Sequence, residues 1–190
     1  MPQFDLRGIK VATYVNTAGT ITYTNATSVG DAMNVNLDLR FAEGRLYAES
    51  TLAEFMRKCV GGTISIGVKY IPTAAQTMMF GVTSKSRTVG STSITSLVTS
   101  AKDTPNYVGV AFYAPDMIDG VKKFTAIKVA KALFGNPSMT LQTAGENITF
   151  NTPTTSGEFL ADDSTTQAMF EVAVCDTEAD AIAWVAVVLQ

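Results

Sequence analysis

From Met33 to Phe41 the chain alternates without a break: Met33, Val35, Leu37, Leu39 and Phe41 against Asn34, Asn36, Asp38 and Arg40. Successive side chains of an extended backbone point to opposite faces, so this pattern predicts a strand with one face in a core and one face wet. Ile64, Ile66, Val68 and Tyr70 repeat it, with Thr63, Ser65 and Lys69 between them. Ile9, Val11, Thr13 and Val15 predict an earlier strand, answered by Thr20 to Thr24 across the turn Asn16-Thr17-Ala18-Gly19. Further strands are predicted over Tyr107 to Ala114, Val121 to Leu133, Ser138 to Gln142, Glu146 to Asn151 and Gln167 to Cys175. So many strands, rich in Thr and Val and divided by Gly or Pro, predict a mainly β fold of two packed antiparallel sheets, a β-sandwich or partly closed barrel.

Two helices interrupt the alternation. Thr73 is placed to cap a short flanking helix over Ala74 to Phe80, with Gly81 at its C-terminal end. Thr177, followed three residues later by Asp180 and joined by Glu178 in the first turn, opens a C-terminal helix through Ile182, Trp184, Val185 and Val188. That helix is nearly all apolar and is expected to be covered. Thr51 and Glu54 also stand at capping-box spacing, so Thr51 to Lys58 admits either a helix or an extended loop. Gly81 to Asn106 is rich in Ser, Thr and Gly, which predicts a loop or a projecting hairpin over 82–106 that orders on a neighbour. Neither a repeat nor a linker divides the chain, so residues 1–190 read as one domain.

Composition narrows the function. Hydrophobic residues make up 46% of the chain and charged ones 16%, against about a quarter charged in ordinary globular domains. A deficit of this size suggests that part of the surface is covered by other subunits. There is no histidine, which removes the commonest general base and transition-metal ligand. Neither Gly-x-Ser-x-Gly nor Ser-x-x-Lys occurs, so no catalytic residue is assigned. Cys59 and Cys175 lie among apolar residues and read as reduced core thiols. Asp162, Asp163 and Glu158 lack a calcium-loop pattern and read as a solvated turn, and no metal or cofactor is expected. Lys122, Lys123, Lys128 and Lys131 fall on both faces of their strand without interleaved aromatics, which favours a subunit contact over a nucleic-acid groove. The start lacks a signal-peptide pattern and the run Ala181 to Leu189 is about half a bilayer span, so folding in the cytoplasm of the cell that makes it is expected.

The charge is unevenly placed. Every Lys and Arg lies at or before Lys131, where 14 bases meet 9 acids, a balance of +5; from Ala132 onward there are 8 acids and no base, which completes the net −3. Opposite-signed surfaces on one subunit suit head-to-tail association.

The ordered set of segments resembles the major tail tube proteins of long-tailed, siphophage-type bacteriophages. It is carried by the strand Met33 to Phe41 with Leu46-Tyr47-Ala48-Glu49, by Gly62 to Val68, and by Met78-Met79-Phe80-Gly81. Thr104 to Phe112, Lys131 to Pro137 and Ile148 to Pro153 continue it, so that the likeness spans Gly8 to Ala173. The resemblance implies a structural virion protein whose hexameric rings stack into a tube that conducts DNA into the host at ejection. Its implied partners are further copies of itself, a tape measure protein and a tail terminator, with DNA passing the lumen unbound. Subunit contacts are expected at Leu46, Tyr47, Ser84, Lys85, Arg87, Val89, Ile94 and Leu97. A contractile-tail or tailocin tube protein and a tail terminator share this physics. A surface-binding β-sandwich module is the alternative from another class. It wants exposed aromatic platforms, whereas the chain's single indole, Trp184, sits in the apolar helix.

Overall fold

The fold is described from a computed structural model for residues 4–138, 143 and 152–190. It is mainly β with two short helices, and its larger sheet does not close. The strands are β1 (Arg7–Thr17), β2 (Thr20–Ser28), β3 (Ala32–Ala48), β4 (Thr51–Val68), β5 (Thr83–Val89), β6 (Thr92–Val98), β7 (Tyr107–Ile118), β8 (Val121–Phe134), β9 (Thr154–Leu160) and β10 (Phe170–Cys175). Helix α1 (Thr73–Phe80) lies between β4 and β5, and α2 (Glu178–Val187) follows β10. The expected strands Ser138 to Gln142 and Glu146 to Asn151 lie almost wholly outside the described residues.

Eight strands form one antiparallel sheet in the order β2-β1-β7-β8-β9-β4-β3, and β5 with β6 forms a separate two-stranded ribbon. The branch lies in β8. One edge of this long strand is taken by β7, while the other is shared: Phe124 to Val129 pair with β10, and Lys131 to Phe134 pair with β9. From β9 the sheet continues into β4, whose Ile64, Ile66 and Val68 share a buried cluster with Ile9 and Val11 of β1, Val108 and Val110 of β7, and Phe134 of β8. Strands distant in sheet order therefore share one core, so the expected two packed layers belong to a single curved sheet.

Phe159 marks the bend. Its ring is fully buried, and its register partners are Gly62 on β4 and Ala132 on β8. A Cβ at Gly62 would run into the backbone carbonyl of Asp38 and lie 2.5 Å from the nearest ring carbon of Phe159, so glycine there is a packing requirement. Small residues on both flanking strands make room for one large one, as close packing demands.

Helix α1 closes the same core through Ala75, Met79 and Phe80. Its cap corrects the sequence expectation: Pro72 occupies the N-cap without a side-chain bond, and Thr73 is already helical. Proline pre-sets the backbone for helix entry, so the hydroxyl is not needed. Gly81 ends the helix at φ 67 as expected, a left-handed conformation glycine adopts without strain.

Helix α2 covers the opposite face of β1, β7 and β8, burying Ala181, Val185 and Leu189 against Ala12, Tyr23, Ala111, Tyr113 and Phe124. The Thr177 hydroxyl accepts from the amide of Asp180 at 3.2 Å, as the spacing predicts. Ile182 and Val187 remain exposed, so only one side of this apolar helix is covered. Among the described residues Asp116 is the buried carboxylate; it accepts from Thr125 Oγ1 at 3.2 Å and leaves Oδ1 without a partner. Burial on one neutral donor carries a stability cost.

Candidate assembly surfaces

The most prominent surface is an arm that outruns the body. The inward face of β3 begins in the body, where Val35 and Leu37 pack on the core. Beyond Leu39 the register shifts, and a ribbon of β3 and β4 continues from the pair Phe41–Cys59 to the pair Ala48–Thr51, with Glu43 and Arg45 in the positions that apolar residues hold further back. At about 3.3 Å per residue this arm is about 25 Å long. Glu49 and Ser50 form its turn, both at positive φ, the primed geometry that matches strand twist. The segment Thr51 to Lys58 is thus strand, neither helix nor loop; the Thr51–Glu54 spacing is that of a capping box, but Thr51 Oγ1 donates to Ala48 O across the turn.

The arm's two faces differ. One carries Phe41, Glu43, Arg45, Phe55 and Arg57, which satisfy one another. Arg57 stacks over Phe41 at 3.9 Å from the ring centre, Arg45 over Phe55 at 5.5 Å, and both guanidinium groups reach Glu43 at 3.4 Å. The other face carries Leu46, Glu54 and Met56 between the small residues Ala42, Gly44 and Ala48. Leu46 is 58% exposed and Met56 74%. Neither Glu49 nor Glu54 has an ion-pair partner among the described residues.

A second projection is the β5–β6 ribbon, so 82–106 holds a hairpin. Its register puts Ser84, Ser86, Thr88, Ser93, Thr95 and Leu97 on one face. That face turns to the body: Ser84 and Thr95 line a shallow open groove with Thr73 and Thr77 of α1, and Leu97 packs partly buried on the core. The outer face carries Lys85, Arg87, Val89 and Ile94, with Val89 60% and Ile94 48% exposed. Neither cation has an ion-pair partner among the described residues.

Of the eight expected contact residues, Leu46 and Tyr47 therefore sit near the arm tip on opposite faces, and Lys85, Arg87, Val89 and Ile94 share one outer face. Ser84 and Leu97 turn to the body, because alternation in a two-stranded ribbon cannot put neighbouring residues on one side. Sequence reasoning missed Leu52, Glu54, Phe55 and Met56: Leu52, Phe55 and Met56 stand at helical spacing, so the segment carries no strand signal of its own. A third surface is the strand β10, which among the described residues pairs only with β8 and exposes Phe170, Val172 and Val174.

The basic strand β8 is committed to its own molecule. Lys131 bonds Asp163 at 2.8 Å and stacks on Tyr14 and Tyr107, while Lys123 bonds Asp176 at 2.7 Å. Lys128 lies over Tyr23, and burial lowers its pKa. The Asp162-Asp163 turn likewise closes on itself: Asp162 accepts from Ser164 and the amide of Ala168, and Asp163 accepts from the Tyr14 hydroxyl at 2.9 Å. Among the described residues no cluster of three metal-ligating side chains exists, and no helix is long and apolar enough to cross a membrane. Cys59 and Cys175 are free and half-buried; Cys59 stands at the base of the arm, outside the main core in which it was expected.

The Lys131 bond, with help from Tyr14, holds the Asp163 carboxyl below its ordinary pKa. A lowered folded-state pKa gives stability that is present above the unfolded value and is lost as pH falls through the lowered one. Lys131→Gln is therefore expected to lower the urea midpoint at neutral pH, with the gap to wild type closing at strongly acidic pH. A gap of constant size across that range would show that the ion pair is not its source. Neither a protein-family model nor a curated protein matches the chain.

Proposed function

We infer that this chain is a structural subunit that works as a polymer of identical copies, and specifically as hexameric rings stacked into the tail tube of a long-tailed bacteriophage. The observation that carries the reading is the β3–β4 arm, a ribbon whose apolar side chains one molecule leaves exposed. Exposed apolar surface of this extent marks an interaction site. Among the described residues the edges of β2, β3 and β10 are unpaired, which adds backbone groups on which neighbouring sheets can pair. The tail-tube resemblance supplies the ring and the tube; the arm supplies the need for a neighbour.

A conduit for DNA must not hold it. Binding through Lys and Arg gains from counterion release, so a bore free of unpaired cations lets the polymer slide. On β8 Lys123 and Lys131 are held by Asp176 and Asp163, which suits that requirement. The lumen of the assembled ring is expected to present Asp and Glu and few Lys; a lysine-lined bore would overturn this part of the proposal.

Negative-stain microscopy of the purified protein tests the reading. Six-fold rings or tubes are expected as concentration rises. A species that stays strictly monomeric at high concentration overturns it.

A further inference from the structure

We propose that the arm tip of one copy docks on the outer face of the β5–β6 ribbon of the next, the two being opposite in charge and each partly apolar. This rests on the assembly reading above and names its contact. The tip, residues 46–56, contains Glu49 and Glu54 and no base. The ribbon, residues 83–98, contains Lys85 and Arg87 and no acid. All four are unpaired among the described residues, while seven of the other acids reach a Lys or Arg of their own chain.

The apolar pattern matches as well. Leu46, Glu54 and Met56 share the unsatisfied face of the arm, and Val89 and Ile94 share the outer face of the ribbon with both cations. All four apolar side chains stay about half exposed or more in one molecule, so the two surfaces do not cover each other within a copy. The arm's other face pairs its own charges, Arg45 and Arg57 both reaching Glu43, so the unmatched charge of the arm lies with Glu49 and Glu54 at its tip. Lys58, on the docking face two residues past Met56, marks where the acidic tip ends. Because the two patches differ, each copy offers one of each. The contact can therefore propagate from copy to copy, each new copy offering a further arm and a further ribbon. The acids steer the tip to its site, and the apolar residues hold it there.

Charge reversal tests the pairing in the full-length chain. E49K/E54K and K85E/R87E are each expected to raise the critical concentration for assembly, read by sedimentation, at least about tenfold. The fourfold variant restores opposite signs within one chain, and an equimolar mixture of the two double variants restores them between chains. Both are expected to return to within about threefold of wild type. Circular dichroism checks the fold; where a reversal disturbs it, E49Q/E54Q and K85Q/R87Q take its place, with the same direction of effect. Wild-type protein that never polymerises defeats the assembly reading itself. Wild-type polymer with unmoved reversal variants, or variants that neither the mixture nor the fourfold change restores, overturns this pairing alone.

Discussion

Phe159→Ala is expected to cost about 3–5 kcal/mol of folding stability, read as a lower urea midpoint at an unchanged slope. The ring is fully buried, and the residues beside it on both neighbouring strands are Gly62 and Ala132. Neither has a side chain that can swing into the space the ring would leave. The hole therefore stays open, and the cost includes both lost transfer energy and the cavity. Against a total stability of about 5–15 kcal/mol, that is a large share. Phe159→Leu keeps much of the volume and is expected to cost on the order of 1–2 kcal/mol. Phe170→Ala on the exposed side of β10 is the control, with an effect of about 1 kcal/mol or less. A loss under about 1 kcal/mol for Phe159→Ala would show that the bend in the sheet is not set by this ring.

The position of Phe159 also shows what the sequence made legible and what it did not. Alternation identified β1 and the inner parts of β3 and β4, while β7, covered on both faces, was legible as a continuous apolar run. Sheet order was hidden. Strand β9 lies between β8 and β4, joining residues about 90 positions apart in the chain, as Ser65 opposite Ser156 shows. Periodicity within a strand says which face is buried and is silent about the neighbour. The branch at β8 was hidden for the same reason: a strand served by two partners along one edge alternates like any other. Helix α2 was legible through Thr177 and Asp180, whose bond is local. Segment 51–58 was not, since its capping-box spacing and the helical spacing of Leu52, Phe55 and Met56 both point away from a strand, and only the partner β3 makes it one. The contact residues divided along similar lines. Lys85, Arg87, Val89 and Ile94 share a face because the turn at Gly90 and Ser91 sets the register of β5 against β6, and that register assigns Ser84 and Leu97 to the body.

The arm itself gives the second large expected effect, and it separates folding from assembly. Along residues 41–59 the ribbon pairs only with itself, and an isolated two-stranded ribbon has at most marginal stability of its own in water. It lends the body little, and the body buries none of the side chains at its tip: Leu46, Tyr47, Leu52, Phe55 and Met56 are all more than half exposed. Residues 43–57 can be replaced by an Asn-Gly turn joining Ala42 to Lys58, which already face each other in register. The shortened chain is expected to keep its fold, with stability within about 1 kcal/mol of wild type. It is expected to lose polymerisation entirely, staying monomeric at concentrations where the full chain sediments. An exposed apolar ribbon is an aggregation liability that folded proteins rarely keep without use, and removing it should raise solubility as assembly is lost. Two outcomes would sink the argument. A shortened chain that still builds tubes of normal length would show that the contact lies elsewhere, on the edges of β2 or β10; one that unfolds would show that the arm is part of the core's support.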